Sequence, residues 1–212
     1  MSSPQRRPSA IAELRDRDLV RLHWPSELRP AFDALFNIDD ALGDIVSRAT
    51  QPALAAIKLA WWRERLEDLA QDRAPAEPRL QAAARELIPR GVSGTDLAAL
   101  EEGWTSLLTE KADSDVILER GVKLFAMAAR LLGEDCAGLS AAGRLYSAAS
   151  LSRRSIAVPA LAAEAVSTRI SSSLRRLTAL AVLAKRDLRR PEPEATPGRA
   201  WAIIRHRMTG RL

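Results

Sequence analysis

The chain has 212 residues, of which 47% are hydrophobic and 28% charged, and its formal net charge is +5. This length can bury a sizeable core, and the composition is that of an ordinary globular protein. One cysteine and two histidines exclude an internal disulfide framework and argue against a thiolate- or histidine-based metal centre. We expect no transmembrane helix, because no stretch approaches about 18 uninterrupted apolar residues. The polar N-terminus does not resemble a secretory signal, which favours a cytoplasmic protein.

Helix-forming residues dominate the chain, and no long run alternates with the period of a strand. The sequence therefore predicts an all-α fold, a single-domain bundle of about eight to ten helices. Residues 1–9 are predicted to be a disordered tail, and residues 10–212 to form the helical domain. The predicted helices, in chain order, are 10–22, 26–49, 52–71, 79–87, 93–111, 115–132, 137–154, 168–189 and 198–209.

The helix predicted at 26–49 carries an Asp-x-x-x-Asp pair, Asp40 and Asp44, one helical turn apart. Two such pairs facing each other could hold magnesium ions that bridge to a diphosphate, since magnesium prefers oxygen ligands. Helical phase places Asp40 and Asp44 opposite the apolar stripe, so a solvated face is the favoured interpretation of this single pair. Asp39 instead falls within the stripe, close to Phe36, and a buried acid needs a partner.

The helix predicted at 52–71 contains the tandem Trp61-Trp62. Its apolar positions spread around more than half of the circumference, which predicts burial on two sides. Core packing is the favoured role of the tryptophans, and a lipid cavity or a catalytic role is the alternative. The cations of this helix could bind phosphate or pair with acids such as Asp39. They are Lys58, Arg63 and Arg65.

Two later helices differ sharply in composition. Small residues fill the one predicted at 137–154, with Tyr146 as the bulky exception, so it could pack closely against another helix or line a cavity; it holds no acid. The one at 168–189 is rich in arginine, which favours a solvated face and, second, contact with an anionic membrane surface. It lacks the interleaved aromatic side chains that single-stranded nucleic-acid readers use, so we expect no nucleic-acid partner.

Several stretches together resemble the squalene/phytoene synthase family. The resemblance lies in the opening segment 17–25 with Arg29 and 34–37, in 51–52 with the Trp-Trp segment 57–64, in 143–153, and in the ending 204–212. The Trp-Trp segment is its most specific part. The resemblance implies an all-α isoprenoid-synthase bundle, in which active members condense two prenyl diphosphates head to head and hold magnesium with two Asp-rich motifs.

The chain departs from that family pattern at both metal motifs. Aligned on Phe36, the first motif places its aspartates near Ala41 and Ile45, and a shift of one residue is needed to recover the Asp40–Asp44 pair. Aligned on Gly143 and Arg153, the second motif has different residues at its three polar positions. Ser150 replaces the asparagine, and Arg154 and Val158 replace the aspartates.

These departures favour a catalytically impaired relative that binds an isoprenoid or lipid ligand or a protein partner, similar to the family's branch of respiratory complex I assembly factors. Contact with the surface of the inner membrane is possible in this interpretation. The candidate cavity residues are Phe36, Asp39, Trp61, Trp62, Gly143, Tyr146 and Ser150. An active prenyl-diphosphate transferase is the first alternative, with magnesium on Asp40 and Asp44 and diphosphate on Lys58, Arg63 and Arg65. A helical interaction module that uses its basic helix is the second alternative.

Overall fold

The computed structural model describes residues 15–71, 76–158 and 170–212. These ranges contain ten α-helices and no strand, so the all-α prediction is confirmed. The helices are α1 (Asp16–Arg21), α2 (Arg29–Ser47), α3 (Pro52–Glu67), α4 (Pro78–Glu86), α5 (Gly94–Ala98), α6 (Glu101–Thr105), α7 (Ser114–Leu131), α8 (Ser140–Arg153), α9 (Arg175–Arg189) and α10 (Pro197–Thr209). Four predicted features fall wholly or partly outside the described residues. They are the tail at 1–9, the start of the helix at 10–22, the first four residues of a loop predicted at 72–78, and the start of the helix at 168–189.

The helix predicted at 93–111 is divided into α5, α6 and a final 3-10 turn at Ser106–Leu108. It starts with a capping box, in which Ser93 Oγ accepts from Asp96 N at 3.0 Å and Asp96 Oδ2 accepts from Ser93 N at 3.1 Å. The break between α5 and α6 frees the carbonyl of Ala99, and Lys123 Nζ lies 3.4 Å from that oxygen. A side chain from α7 thus satisfies part of the interrupted ladder.

Two glycines let α7 and α8 cross with their backbones in contact. A Cβ built on Gly143 would lie 2.6 Å from Gly121 O, and one built on Gly121 would overlap Gly143 O. Helix α8 also packs against α9, while α2 packs against α3, α4 and α7. Because the crossing is close, the side chains of α7 that face α2 also lie next to the small residues of α8.

Helix α3 is buried along one face rather than on the two sides predicted. Its buried side chains recur at helical spacing as Ala55, Leu59, Trp62 and Leu66. The other large apolar side chains face outwards and form an exposed stripe of Leu54, Ile57 and Trp61. The second apolar face of α3 therefore has no packing partner within the described chain.

The two ends of the described chain are joined by buried ion pairs. Arg199 of α10 is fully buried and donates from Nε to Asp16 Oδ1 of α1 at 2.8 Å and from Nη1 to Asp187 Oδ1 of α9 at 2.6 Å. Arg153 of α8 donates to the other oxygen of Asp187 at 3.1 Å. Four helices thus share one network. In the described ranges, no helix is both long and apolar enough to cross a membrane.

Candidate functional site

Asp39 lies at the centre of a buried polar cluster, as its position in the apolar stripe predicted. Its side chain is fully buried, and Oδ1 accepts hydrogen bonds from Arg120 Nη1 of α7 and, at 2.9 Å, from Trp104 Nε1 of α6. Arg120 Nη2 donates onwards to Ser147 Oγ at 2.9 Å and to Ser150 Oγ at 2.6 Å, both on α8. We call these five residues the Asp39 cluster. It joins four helices through side chains distant in sequence.

The indole of Trp104 lies close to guanidiniums of both the Asp39 cluster and a second group of charges. Arg120 Cζ lies 4.0 Å from the Trp104 ring centroid, and Arg154 Cζ lies 5.4 Å from it. Both distances are within the range of cation–π attraction. Gly43 leaves room for this arrangement, because a Cβ there would be 2.7 Å from Trp104 Cζ2 and 2.8 Å from Arg154 Nε.

The second group combines the Asp-x-x-x-Asp pair with two arginines, and we call it the acid–arginine cluster. Arg154, at the end of α8, donates from Nη2 to Asp40 Oδ1 at 2.8 Å, and the same nitrogen lies 3.7 Å from Asp44 Oδ1. Arg17 Nη1 of α1 lies 2.9 Å from Asp40 Oδ2. Two carboxylates and two guanidiniums neutralise one another, and both oxygens of Asp40 have a cationic partner.

This cluster changes the expectation that Asp40 and Asp44 lie on a solvated face. The two acids do lie opposite the buried stripe of α2, but Arg17 and Arg154 cover them from α1 and α8, and both are only partly exposed. Asn37 on the same face accepts a hydrogen bond from Arg17 Nη2 at 2.8 Å. The polar side of α2 is therefore partly covered by side chains from α1 and α8, with Asp40 and Asp44 still 32% and 40% exposed.

The ionisation of the acid–arginine cluster follows its geometry. Burial alone would raise the pKa of Asp40, but the charge of Arg17 and the hydrogen bond from Arg154 outweigh it and lower that pKa below the usual value. Burial would likewise lower the pKa of Arg154, whereas Asp40 raises it. The pKa of the neighbouring Tyr146 phenol is raised, first by burial and then by the charges of Asp40 and Asp39. The pair is thus held ionised and the phenol neutral.

A cavity of about 230 Å³ opens beside the acid–arginine cluster. Its lining is mainly charged and comprises Arg15, Asp16, Arg17, Asp40, Asp44, Tyr146, Arg153, Arg154, Leu180, Leu183 and Glu194. Pockets for drug-sized ligands usually have about 300 Å³ or more and a mainly apolar lining. This cavity is smaller and more polar than such a site.

A second cavity, of about 320 Å³, lies on the other side of Asp44, between α2, the start of α3 and α4. Three cations, Arg48, Lys58 and Arg79, line it together with the apolar Leu54 and Trp62. The cavity also includes Thr50 and Gln51 at the N-terminus of α3, where backbone N–H groups favour anions. The lining of the second cavity thus combines groups that suit an anion with apolar side chains.

The structure separates the candidate residues of α3. Lys58 and Trp62 line the second cavity, whereas Trp61, Arg63 and Arg65 line neither cavity. Trp61 is 42% exposed and packs edge-on against Trp62, with the ring centroids 5.8 Å apart. Arg63 is exposed, and Arg65 has acidic neighbours on its own helix. Of the three predicted diphosphate-binding cations, one therefore lies in a cavity.

Of the remaining candidate cavity residues, Phe36 and Gly143 serve packing rather than line a cavity. Phe36 is buried, with its ring centroid 5.7 Å from that of Tyr146, and Gly143 forms the helix crossing. Ser150 belongs to the Asp39 cluster. Among the residues that replace the second aspartate motif, Arg154 reaches the acid pair, while Val158 is 36% exposed.

Sequence reasoning did not identify Arg17, Trp104 and Arg120 as parts of the site. A signal existed for Arg120, because it shares the buried face of α7 with Ile117, Gly121 and Leu124. A charged residue in an apolar stripe indicates a buried partner, which is the argument that identified Asp39. No comparable signal marks Arg17, whose role depends on where α1 packs.

The donor groups of the acid–arginine cluster do not fit a magnesium ion. Magnesium would need free carboxylate oxygens in near-octahedral geometry, and both Asp40 oxygens already accept from guanidinium groups. In the described ranges, no group of three or more acidic, histidine or cysteine side chains is placed to hold a metal.

Comparisons with protein-family models, with curated proteins and with solved structures give no match to this chain.

Proposed function

We propose that this chain is a catalytically impaired, squalene/phytoene-synthase-like protein that acts by binding rather than by prenyl transfer. One observation carries the proposal: Arg154 lies where the resemblance expects an aspartate of the second metal motif, and its guanidinium contacts both Asp40 and Asp44. An arginine at that position supplies the positive charge that a bridging magnesium ion would supply. It does so permanently, because a guanidinium does not lose its proton.

Electrostatic repulsion opposes the entry of a metal ion at the position that Arg154 occupies. At about 4 Å, a unit charge pair near a protein surface contributes roughly 4 kcal/mol. A divalent ion entering between Asp40 and Asp44 would lie against Arg154 and Arg17 and would have to displace both from Asp40. The fixed arginines thus oppose a magnesium–diphosphate cluster by repulsion as well as by occupying its ligands.

Cavity size supports binding rather than condensation. Head-to-head condensation requires room for two prenyl chains beside the metal cluster, and the cavity at the acid–arginine cluster has only about 230 Å³ with a charged lining. The second cavity, whose lining combines three cations with Trp62 and Leu54, suits one amphiphilic anion. An isoprenoid or lipid phosphate is the ligand class that matches this lining.

The proposed site for that ligand lies between Lys58, Arg48 and Arg79. These cations would hold the phosphate, and the apolar chain would lie along Leu54 and Trp62. A binding protein of this kind could present its ligand or its surface to a protein partner, and a cytoplasmic location with contact at the inner membrane fits such a role. The contacts of the described chain favour no role for Arg63 or Arg65 in the ligand site.

Farnesyl diphosphate provides the test of this proposal. Incubated with the protein and magnesium, it should release no diphosphate above the blank, whereas calorimetry without magnesium should detect binding. Lys58→Glu should weaken that binding at least about tenfold, because the change replaces an attraction to the phosphate with a repulsion. Arg63→Glu is the matched control, since this exposed cation of the same helix lines neither cavity.

Magnesium-dependent diphosphate release that disappears in Asp40→Ala would refute the impaired-enzyme proposal and establish the active transferase. The matched acid control is Asp33→Ala, because Asp33 lies on the same helix and its partner is Arg21. If neither turnover nor ligand binding is detected, the ligand site is refuted and the helical interaction module becomes the better account.

A further inference from the structure

Helix α10 presents a stripe of large apolar side chains that the described chain leaves uncovered. Trp201, Ile204 and Met208 are 65%, 41% and 75% exposed. Their spacing of i, i+3 and i+7 places them within a sector of about 60° on the helix circumference. The opposite side of α10 is its packed face and holds Arg199, Ala202, Ile203 and His206. The exposed stripe is thus a distinct second face of a docked helix.

The surroundings of this stripe are cationic. From residue 195 to the last residue, the sequence contains four arginines and no acid. Arg199 is buried, while Arg205 and Arg211 are exposed next to the stripe. These side chains give the face of α10 a positive charge that no acidic residue of the same segment offsets.

Helix α9 adds two more arginines at the end of the stripe. Arg175 Nη1 donates at 3.1 Å to the backbone oxygens of Arg207 and Met208, rather than to a carboxylate. Burial and then the positive charges of Arg176 and Arg175 lower the pKa of Arg207. The positive charge beside Met208 is therefore concentrated and only partly neutralised.

We propose that α10 is a docking surface for an anionic lipid bilayer, with Trp201, Ile204 and Met208 entering the interface and the surrounding arginines contacting lipid phosphates. Helices that lie in the bilayer interface combine an apolar face containing tryptophan with flanking basic residues. Charge complementarity decides the occupant, since each basic residue near an anionic leaflet contributes about 1 kcal/mol to binding. This proposal extends the proposed function, in which the chain acts by binding. It depends on that function only in treating the chain as a binding protein and not as an enzyme.

The exposed stripe of α3 provides an internal comparison. Leu54, Ile57 and Trp61 have the same i, i+3, i+7 spacing and similar exposure. Acids balance the charge around this stripe, however: Glu64, Glu67 and Asp68 offset the three cations of residues 52–68, which are Lys58, Arg63 and Arg65. Exposed apolar area alone would give both helices the same affinity for lipid, whereas charge complementarity selects α10.

Vesicle flotation tests the assignment. The wild-type chain should float with vesicles of phosphatidylcholine mixed with phosphatidylglycerol, remain unbound with phosphatidylcholine alone, and dissociate as salt is added. The pair of changes Trp201→Ser and Met208→Ser should weaken binding at least about tenfold through loss of buried apolar area. Arg205→Glu should weaken it by about tenfold through charge, and this exposed site gives a variant that is not at risk of unfolding.

Ile57→Ser combined with Trp61→Ser is the matched control and should retain wild-type binding. Circular dichroism of each variant confirms that the helices are intact. The assignment is overturned if the wild-type chain does not bind the anionic vesicles, if the α10 variants bind as the wild type does, or if the α3 control loses as much affinity. Because the assay contains no prenyl diphosphate, its failure leaves the proposed ligand site separately testable.

Discussion

At the scale of single residues, Asp39 and Arg120 form a fully buried ion pair, in which each charge requires a partner. Both side chains are completely removed from water, so each charge depends on the other and on its hydrogen-bond partners. Arg120 has acceptors in Asp39, Ser147 and Ser150. Asp39 Oδ1 also accepts from Trp104, while Asp39 Oδ2 and Arg120 Nε are buried without a hydrogen-bond partner among the described residues.

Replacement of Arg120 by methionine should therefore destabilise the fold by about 3–5 kcal/mol, because Asp39 would remain as a buried, uncompensated charge. Urea unfolding followed by circular dichroism measures the loss. Arg130→Met is the matched control on the same helix: its pair with Asp96 is largely exposed and should contribute about 1 kcal/mol or less. Equal losses in the two variants would show that the buried pair has no special role.

The sequence predicts part of this site and not the rest. Helical phase identified Asp39 as a buried acid, because local periodicity determines which side of a helix a residue occupies. Its partner Arg120 is 81 residues away in sequence, and local periodicity carries no information about which helices meet. The resemblance placed Arg154 at a metal position, but its contact with Asp40 depends on where the end of α8 lies relative to α2.

At the scale of helices, the crossing of α7 and α8 depends on two glycines. The backbones touch where Gly121 meets Gly143, and this contact brings Arg120 within reach of Ser147 and Ser150. The sequence indicated that small residues in the predicted helix at 137–154 allow close packing. It did not identify the helix against which they pack, because a surface of small side chains can pack closely against many different helices.

Gly121→Ala should separate α7 from α8, since the added methyl group would overlap the carbonyl oxygen of Gly143. We expect a loss of about 3 kcal/mol, at the upper end of the usual cost of overpacking, and a lower thermal midpoint. Gly198→Ala is the control: its nearest atom is Arg186 Nη2 at 3.9 Å, and alanine favours the helical state. A Gly121→Ala protein as stable as the Gly198→Ala protein would mean that the close crossing is not required.

At the scale of the whole molecule, buried ion pairs connect the first described helix to the last. Arg199 lies between Asp16 and Asp187, and Arg153 extends the network to α8. The carboxylates of α1 and α9 approach each other only because a fully buried guanidinium lies between them. Composition predicted an arginine-rich basic chain, but not that one of these arginines is an internal connector.

Arg199→Met should leave Asp16 and Asp187 without their main partner and destabilise the whole chain by about 3–5 kcal/mol. Chemical denaturation should still show a single transition if the network belongs to one cooperative unit. Arg186→Met is the control, because its pair with Glu192 is about one-third exposed on each side and contributes little. Loss of only the α10 signal, with the remaining helices unaffected, would indicate that the chain ends are not coupled to the core.

The central claim is that the guanidinium of Arg154 takes the place of a metal ion between Asp40 and Asp44. Titration with Mn²⁺, followed by electron paramagnetic resonance, tests it most directly in the wild type, in Arg154→Gln and in Arg154→Gln combined with Asp40→Asn. The wild type should bind Mn²⁺ only weakly. Arg154→Gln should bind Mn²⁺ at least about tenfold more tightly, because one opposing charge is removed. The added Asp40→Asn change should abolish that gain in affinity. If the wild type instead binds Mn²⁺ as tightly as Arg154→Gln does, and the double variant loses that binding, the claim is contradicted and the acid pair is a working metal site.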